Sequence, residues 1–204
     1  MEDNSQKHGP LRVGITGGIG CGKSYVCRLL EKRGIEIYDC DSAAKRLMRH
    51  DPELRRRLTE LIGPGTYDDE GRLVKARVAE FLLASEDNAK AIDATVHPAV
   101  VSDFLGSGLL WMESALLFQA GIASVVDRVI AVTAPEELRL ERVMQRDGIS
   151  REKAQEWVDR QWPQARVRDL ADYEIRNDGQ ADLEAQIDGI LRQLGLSRQD
   201  RERQ

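Results

Sequence analysis

The chain has 204 residues, 41% of them hydrophobic and 32% charged, with a net charge of −5. That length suits one α/β core with a modest insertion, and that composition suits a soluble globular protein. The negative balance argues against a general nucleic-acid-binding surface, and no apolar run approaches the length of a membrane span.

Residues 1–10 are polar, lack the apolar core of a signal peptide, and read as a loose tail. Leu11 to Thr16 reads as a buried strand, and Tyr25 to Lys32 as a helix with Val26, Leu29 and Leu30 on one face. Between them stands Gly17-Gly18-Ile19-Gly20-Cys21-Gly22-Lys23-Ser24, which fits the pattern Gly, four residues, Gly-Lys-Ser/Thr. Strand, glycine loop and helix in that order turn the pattern into a nucleoside triphosphate site. A triphosphate is a dense cluster of negative oxygens and needs many donors held in place beforehand. The glycines let successive N–H groups converge, and the following helix adds its free first-turn N–H groups and its positive end. The expected nucleotide-binding set is Gly18, Ile19, Gly20, Cys21, Gly22, Lys23, Ser24 and Tyr25. Lys23 reaches the β- and γ-phosphates, and Ser24 places its hydroxyl on a magnesium ion. The loop implies a nucleotide but does not identify the group that receives the phosphate.

Ile35 to Tyr38 reads as a short second strand ending at Asp39-Cys40-Asp41. Phosphoryl transfer to an alcohol needs a group that orients the hydroxyl and accepts its proton, and a carboxylate just past this strand is well placed. One aspartate of the triplet is expected to act there and the other to cap the next helix. The block from 43 to 105 is helical in pattern. Leu54, Leu58, Leu61 and Ile62 mark one helix, Gly63-Pro64-Gly65 breaks it, and Val78, Phe81 and Leu82 mark another. His97-Pro98 is expected to open a further helix carrying Val100, Val101, Phe104 and Leu105.

The sheet resumes at Leu109 to Met112 and ends at Glu113, which reads either as a carboxylate holding magnesium through water or as a strand-end acid without a ligand. Val125-Val126 and Arg128 to Val132 form the next strand region. Pro135 opens a helix to about Arg146, Ser150 caps another to about Gln161, Tyr173 to Ile175 is a last strand, and Leu183 to Leu194 carries an amphipathic closing helix. Arg142 and Arg146 lie four apart and share a helix face, as arginines of a lid over a transferring phosphoryl group would. Arg151, Arg160, Arg166 and Arg168 continue the basic run. Residues 197–204 read as a second loose tail. Three cysteines without framework spacing (Cys21, Cys27 and Cys40) point to reduced thiols and a cytoplasmic protein. Strands alternating with helices predict a parallel α/β sheet covered on both faces, with ligands at the carboxyl ends of the strands.

Taken together the motifs resemble one family, dephospho-CoA kinase. They are Gly14-Ile15-Thr16 leading into the phosphate loop, Asp39-Cys40-Asp41, His97-Pro98, Leu116-Leu117-Phe118, Arg142 with Gln145-Arg146-Asp147, Gln161 with Pro163, and Ala171-Asp172-Tyr173 leading to Ile175-Arg176-Asn177-Asp178-Gly179. The resemblance implies a P-loop NTPase fold: a single kinase unit over 11–196. Its core would be 11–42, 106–140 and 170–196, with a helical acceptor-binding insertion at 43–105 and a lid at 141–169. It implies transfer of the γ-phosphate of ATP, with Mg2+, to the ribose 3′-hydroxyl of dephospho-CoA, the last step of coenzyme A synthesis. It makes Asp41 the catalytic base, with Asp39 shaping the site beside it. Lys23, Arg142 and Arg146 lie on the ATP phosphates, Asn177 and Gly179 near the adenine, and His97 on the acceptor site. The expected partners are small molecules, with no nucleic acid or membrane, and the expected state is a monomer or weak homo-oligomer. Three positions depart from the family pattern: Glu113 stands for an aspartate, with an arm one methylene longer, Ala115 for a proline and Gln119 for a glutamate. The competing readings are a small P-loop kinase for another nucleoside or nucleotide, and an ATP-binding protein without turnover.

Overall fold

The computed structural model describes residues 9–196, so both expected tails lie almost wholly outside the described residues. The chain divides into two compact units. One holds the segments up to Ile37 and from Leu110 onward, and the other is Tyr38–Leu109.

The first unit is built on a sheet. Its strands are β1 (Val13–Thr16), β2 (Ile37–Asp39, where the chain passes into the second unit), β3 (Trp111–Glu113), β4 (Arg128–Thr133) and β5 (Tyr173–Arg176). The order is β2-β3-β1-β4-β5. β1 pairs in parallel with both β3 and β4, and β4 with β5, in a register that aligns Val13 with Trp111 and Arg128, and Ile130 with Tyr173. All four residues of β1 are buried, which explains why it reads as an unbroken apolar run rather than as an alternating one. Helices α1 (Lys23–Glu31), α6 (Glu136–Asp147), α7 (Arg151–Asp159), α8 (Gln164–Leu170) and α9 (Leu183–Gln193) complete this unit. Val26, Leu29 and Leu30 of α1 and Ile187, Ile190 and Leu191 of α9 share one core with Val13, Ile15, Ile130, Val132 and Ile175. A second, smaller core joins α6 to α7 through Leu140, Val143, Ala154 and Val158. The expected lid boundary at 141 falls inside α6.

The second unit is helical: α2 (Cys40–His50), α3 (Pro52–Ile62), α4 (Lys75–Ala84) and α5 (Glu86–Ser107). Asp51 caps α3 through a 2.6 Å bond from Leu54 N–H, and Ser85 caps α5 through Asn88 N–H. Tyr38 anchors the unit: its ring packs on Phe104 with centroids 5.3 Å apart, and its hydroxyl donates to Asp103 at 2.6 Å. Burial and the neighbouring Asp103 carboxylate push the Tyr38 phenol far above its ordinary value, so it stays protonated.

Three expectations are corrected. His97-Pro98 does not open a helix, because α5 runs through it with Pro98 inside. Proline at an interior position removes one hydrogen bond and costs about 3 kcal/mol. Ile92, Val96, Val100 and Phe104 form a buried stripe at four-residue spacing across that position. Burying each is worth about 1.5–3 kcal/mol, which outweighs the break. Val125 belongs to a short 3-10 helix, Ile122–Val125, and β4 begins only at Arg128. Gly121 in the left-handed region (φ 69°) turns the chain there. Finally, β3 starts at Trp111 rather than Leu109, since α5 continues to Ser107 and ends at Gly108 with φ 76°. Helix α8 was not expected at all: its seven residues carry no buried side chain and so show no apolar period.

Phe104 is fully buried. Phe104→Ala is expected to destabilise the protein by about 3–5 kcal/mol in urea denaturation followed by circular dichroism.

Candidate active site

The loop between β1 and α1 supplies the centre of the site. Gly17 has φ 152°, Gly20 78° and Gly22 83°, so each lies in backbone space that a side chain disfavours. Close approach adds a second demand at Gly22, where a Cβ would sit 2.1 Å from Asn177 Nδ2. Gly22 in the left-handed conformation opens α1 without a side-chain cap. No side chain therefore covers the start of α1, although Tyr25 N–H already bonds Gly22 O at 2.9 Å.

Donors converging on one side leave carbonyls on the other, and named side chains meet them. Asn177, buried at the end of β5, donates from Nδ2 to Cys21 O at 2.9 Å. Arg142 donates from Nη1 to Gly20 O at 3.3 Å and Cys21 O at 3.5 Å, and also bonds Asn177 O at 3.2 Å and Oδ1 at 3.3 Å. Arg139 donates from Nε to Ile19 O at 2.9 Å. Gln161 Oε1 accepts the Ile19 N–H at 2.7 Å. Every buried side-chain polar atom among the described residues has a partner.

Lys23 Nζ, at the first position of α1, lies 2.6 Å from Glu113 Oε2. The same oxygen accepts from the Cys27 thiol at 3.2 Å. Neighbouring β1 and β3 position this pair, since Glu113 ends β3 in register with Ile15. Glu113 is thus a partner of the loop lysine, an arrangement that neither reading of the sequence contained. Burial, then the Glu113 charge, pushes the Cys27 thiol far above its ordinary value. Burial also raises the Cys21 thiol, against the Lys23 N–H and the Lys23, Arg139 and Arg142 charges. Both thiols stay protonated, so neither is a ready nucleophile.

Lys23, Ser24, Tyr25, Arg142 and Arg146 line, with Gly18, Ile19, Gly20 and Gly22, an open cleft of about 510 Å³, whereas the Cys21 side chain is buried and does not line it. Ser24 and Tyr25 are exposed. Arg146 lines this cleft but pairs with its neighbour Asp147 at 2.7 Å. Gly179 does not line it. That residue sits in a turn held by Asp178, whose carboxylate accepts from Gln180 and Ala181 N–H. Asn177 spends its side chain on the loop and on Arg142. Gln119, one of the departures, accepts from Trp162 N–H at 3.4 Å, which is near the limit for such a bond.

In the helical unit, Asp39 is the N-cap of α2, with Oδ1 accepting from Asp41 N–H at 2.9 Å and Ser42 N–H at 3.1 Å. Asp41 follows in the first turn and forms an ion pair with Lys45, one turn on. One aspartate is thus committed to the backbone, and the other, inside the helix, presents an exposed carboxylate. His97, half-buried on α5, lies 3.7 Å from Asp93.

Two functional residues were missed. Arg139 is buried, and burial holds its guanidinium below its usual value. It stands three residues before Arg142, on the same helix face, so the spacing could have found it. Gln161 was seen as a motif residue without a role, and no local signal gives it one.

A parallel sheet, a braced phosphate loop between its central strand and α1, and a helical hairpin of arginines over that loop define a P-loop kinase. The dephospho-CoA kinase of Campylobacter jejuni shares this fold, with a TM-score of 0.63 at 21% identity over 90% of this chain and 96% of its own. A family model described as dephospho-CoA kinase matches residues 11–183. The dephospho-CoA kinase of Chlorobaculum tepidum is 37% identical over 199 residues, spanning 91% of this chain and 95% of its own length. A Thermus thermophilus protein of known crystal structure superposes with a TM-score of 0.76 at 32% identity, over 92% of this chain and 99% of its own. The chain belongs to the dephospho-CoA kinase family.

The Asn177 brace yields a test. Asn177→Ala leaves Cys21 O without its amide donor and Arg142 without its side-chain anchor. The variant is expected to lose about 1–3 kcal/mol of stability and to bind ATP at least several-fold more weakly, as calorimetry would measure.

Proposed function

We propose that this chain carries out its family's reaction, the ATP-dependent phosphorylation of the ribose 3′-hydroxyl of dephospho-CoA to give coenzyme A and ADP, with the roles that follow. The observation that carries the reading is the braced loop, which brings Lys23 and Ser24 to the wall of one cleft with Arg142 and Arg146.

The triphosphate rests on the loop N–H groups and the start of α1. Lys23 moves from Glu113 to the β- and γ-phosphates, exchanging one carboxylate for denser negative charge. Arg142 and Arg146 neutralise charge that develops on the transferring group, and Asn177 and Gly179 bound the adenine side. Among the described residues no cluster of three His, Cys, Asp or Glu could hold an ion. That fits magnesium, which takes one or two protein ligands and completes its shell with phosphate oxygens and water. The exposed Ser24 hydroxyl is the protein's share. When bound, the ion would supply charge neutralisation to the phosphates.

Asp41 orients the acceptor hydroxyl and accepts its proton. Asp39 shapes the acceptor site by holding the first turn of α2, and so holds Asp41. Lys45 keeps the Asp41 carboxylate in place until the acceptor arrives, and His97 lines the acceptor side. Such a reaction needs only small-molecule partners, so neither nucleic acid nor membrane enters it. Among the described residues no helix is long and apolar enough to cross a membrane. We place the protein in the cytoplasm, as a monomer or weak homo-oligomer.

The direct test is incubation with ATP, magnesium and dephospho-CoA, read by mass spectrometry, with adenosine, AMP and pantetheine phosphate as control acceptors. Coenzyme A and ADP are expected with dephospho-CoA alone, whereas phosphorylation of another acceptor would displace this reading. Asp41→Asn is expected to leave ATP binding nearly intact while lowering kcat by about two orders of magnitude or more. Normal turnover in that variant would remove the base from Asp41.

A further inference from the structure

Ile19, at the tip of the phosphate loop, is held at three points by one part of the fold. Its N–H donates to Gln161 Oε1 at 2.7 Å. Its carbonyl accepts from Arg139 Nε at 2.9 Å. Its side chain packs against the small core of Leu140, Val143, Ala154 and Val158 that joins α6 to α7. Arg139 lies on α6, and Gln161 lies just past the end of α7, its own N–H bonded to Val158 O at 3.1 Å. The loop tip is therefore gripped from both ends of the same hairpin.

The flanking glycines carry the imprint of that grip. A Cβ on Gly20 would lie 2.4 Å from Arg139 O, and one on Gly18 would lie 2.6 Å from Arg139 Nη2 and 3.1 Å from Gln161 Oε1. At Gly20, where the atom met is backbone, glycine is demanded by the approach of α6 as well as by any phosphate; at Gly18 a side chain would displace the ends of Arg139 and Gln161. A loop of glycines has many conformations of similar energy, and ordering it when a ligand arrives costs affinity. A grip made before the ligand arrives removes that cost.

We propose that Gln161 and Arg139 are positioning residues for nucleotide binding, which by gripping Ile19 make the shape of the phosphate loop depend on the α6–α7 hairpin. The hairpin then acts as a mould for the loop beneath it, in addition to offering arginines to the phosphates. This inference rests on the proposed ATP-dependent reaction. It assigns Gln161 to ATP affinity and not to the acceptor or to overall stability.

The test uses Gln161→Met, which keeps the length of the side chain and removes its acceptor, because the buried Arg139 is harder to replace without unfolding. Gln155→Met is the control. It lies on α7, where Gln155 bonds only to Glu136 and Asp159. The full chain is titrated with ATP by calorimetry, KM for dephospho-CoA is measured in steady state, and ligand-free melting is recorded. Gln161→Met is expected to weaken ATP binding by about three- to tenfold, the worth of one such hydrogen bond. Its KM for dephospho-CoA is expected to stay within about twofold, and its melting temperature within about 2 °C. Gln155→Met is expected to match the unsubstituted chain in all three. ATP affinity that is unchanged or tighter in Gln161→Met would overturn the assignment. So would equal losses for both substrates, or an equal loss in Gln155→Met. Failure of the unsubstituted chain to bind ATP would overturn the proposed function and this inference together.

Discussion

A backbone that turns successive N–H groups toward one ligand must turn carbonyls away from it, and inside a protein those carbonyls need donors. Much of the first unit can be understood from that requirement. Ile19 O takes Arg139, Gly20 O takes Arg142, and Cys21 O takes Asn177 with Arg142. Two of the donors come from α6 and one from just past β5, so the loop is tied to two elements, one a helix and the other an edge strand that does not itself pair with β1. Arginine suits the task because its planar fork presents several N–H groups in fixed directions, where the lysine ammonium is a compact point charge. A cation behind the loop also adds positive potential on the side where phosphates would sit.

The helical unit answers a similar problem with a different device. Asp39 satisfies the orphan N–H groups at the start of α2, and Tyr38, one residue earlier, is pinned by Phe104 and Asp103 of α5. Arg46 of α2 pairs with the same Asp103. Strand end and helix start are thus held within a few residues of Asp41 while its own carboxylate remains exposed. Rigid surroundings and an accessible carboxylate are what a proton acceptor needs.

Legibility in the sequence followed the range of the interactions. The phosphate loop was plain because its chemistry is local: glycine, lysine and serine at fixed offsets between a strand and a helix. Ser150 and Pro135 were legible as helix starts for the same reason. The partners of Arg139, Gln161 and Glu113 were not, because each lies at least 90 residues away in sequence. A pattern read along the chain sees such residues as ordinary members of a charged face or a strand end. The Pro98 misreading is of another kind. The local rule is correct, and the buried stripe of α5 overrides it. Arg142 shows that a residue can be found by its spacing and still have a further use, since the guanidinium expected over phosphates also braces the loop from behind.

Gln164 presents its side-chain amide to Ala134 as a strand neighbour would, accepting from Ala134 N–H at 3.0 Å and donating to Ala134 O at 3.0 Å. Three residues earlier, Gln161 is bonded to the loop. The chain that leaves the hairpin is therefore registered against the sheet within one short step. Room for added length lies at the turn after α6, which ends on the left-handed Gly148 with open space around it. Residues inserted there would lengthen the hairpin outward and leave both amides in register. A single residue added between Gln161 and Gln164 would put one of them out of phase. On this fold the hairpin is free to vary at its tip and fixed in length at its root.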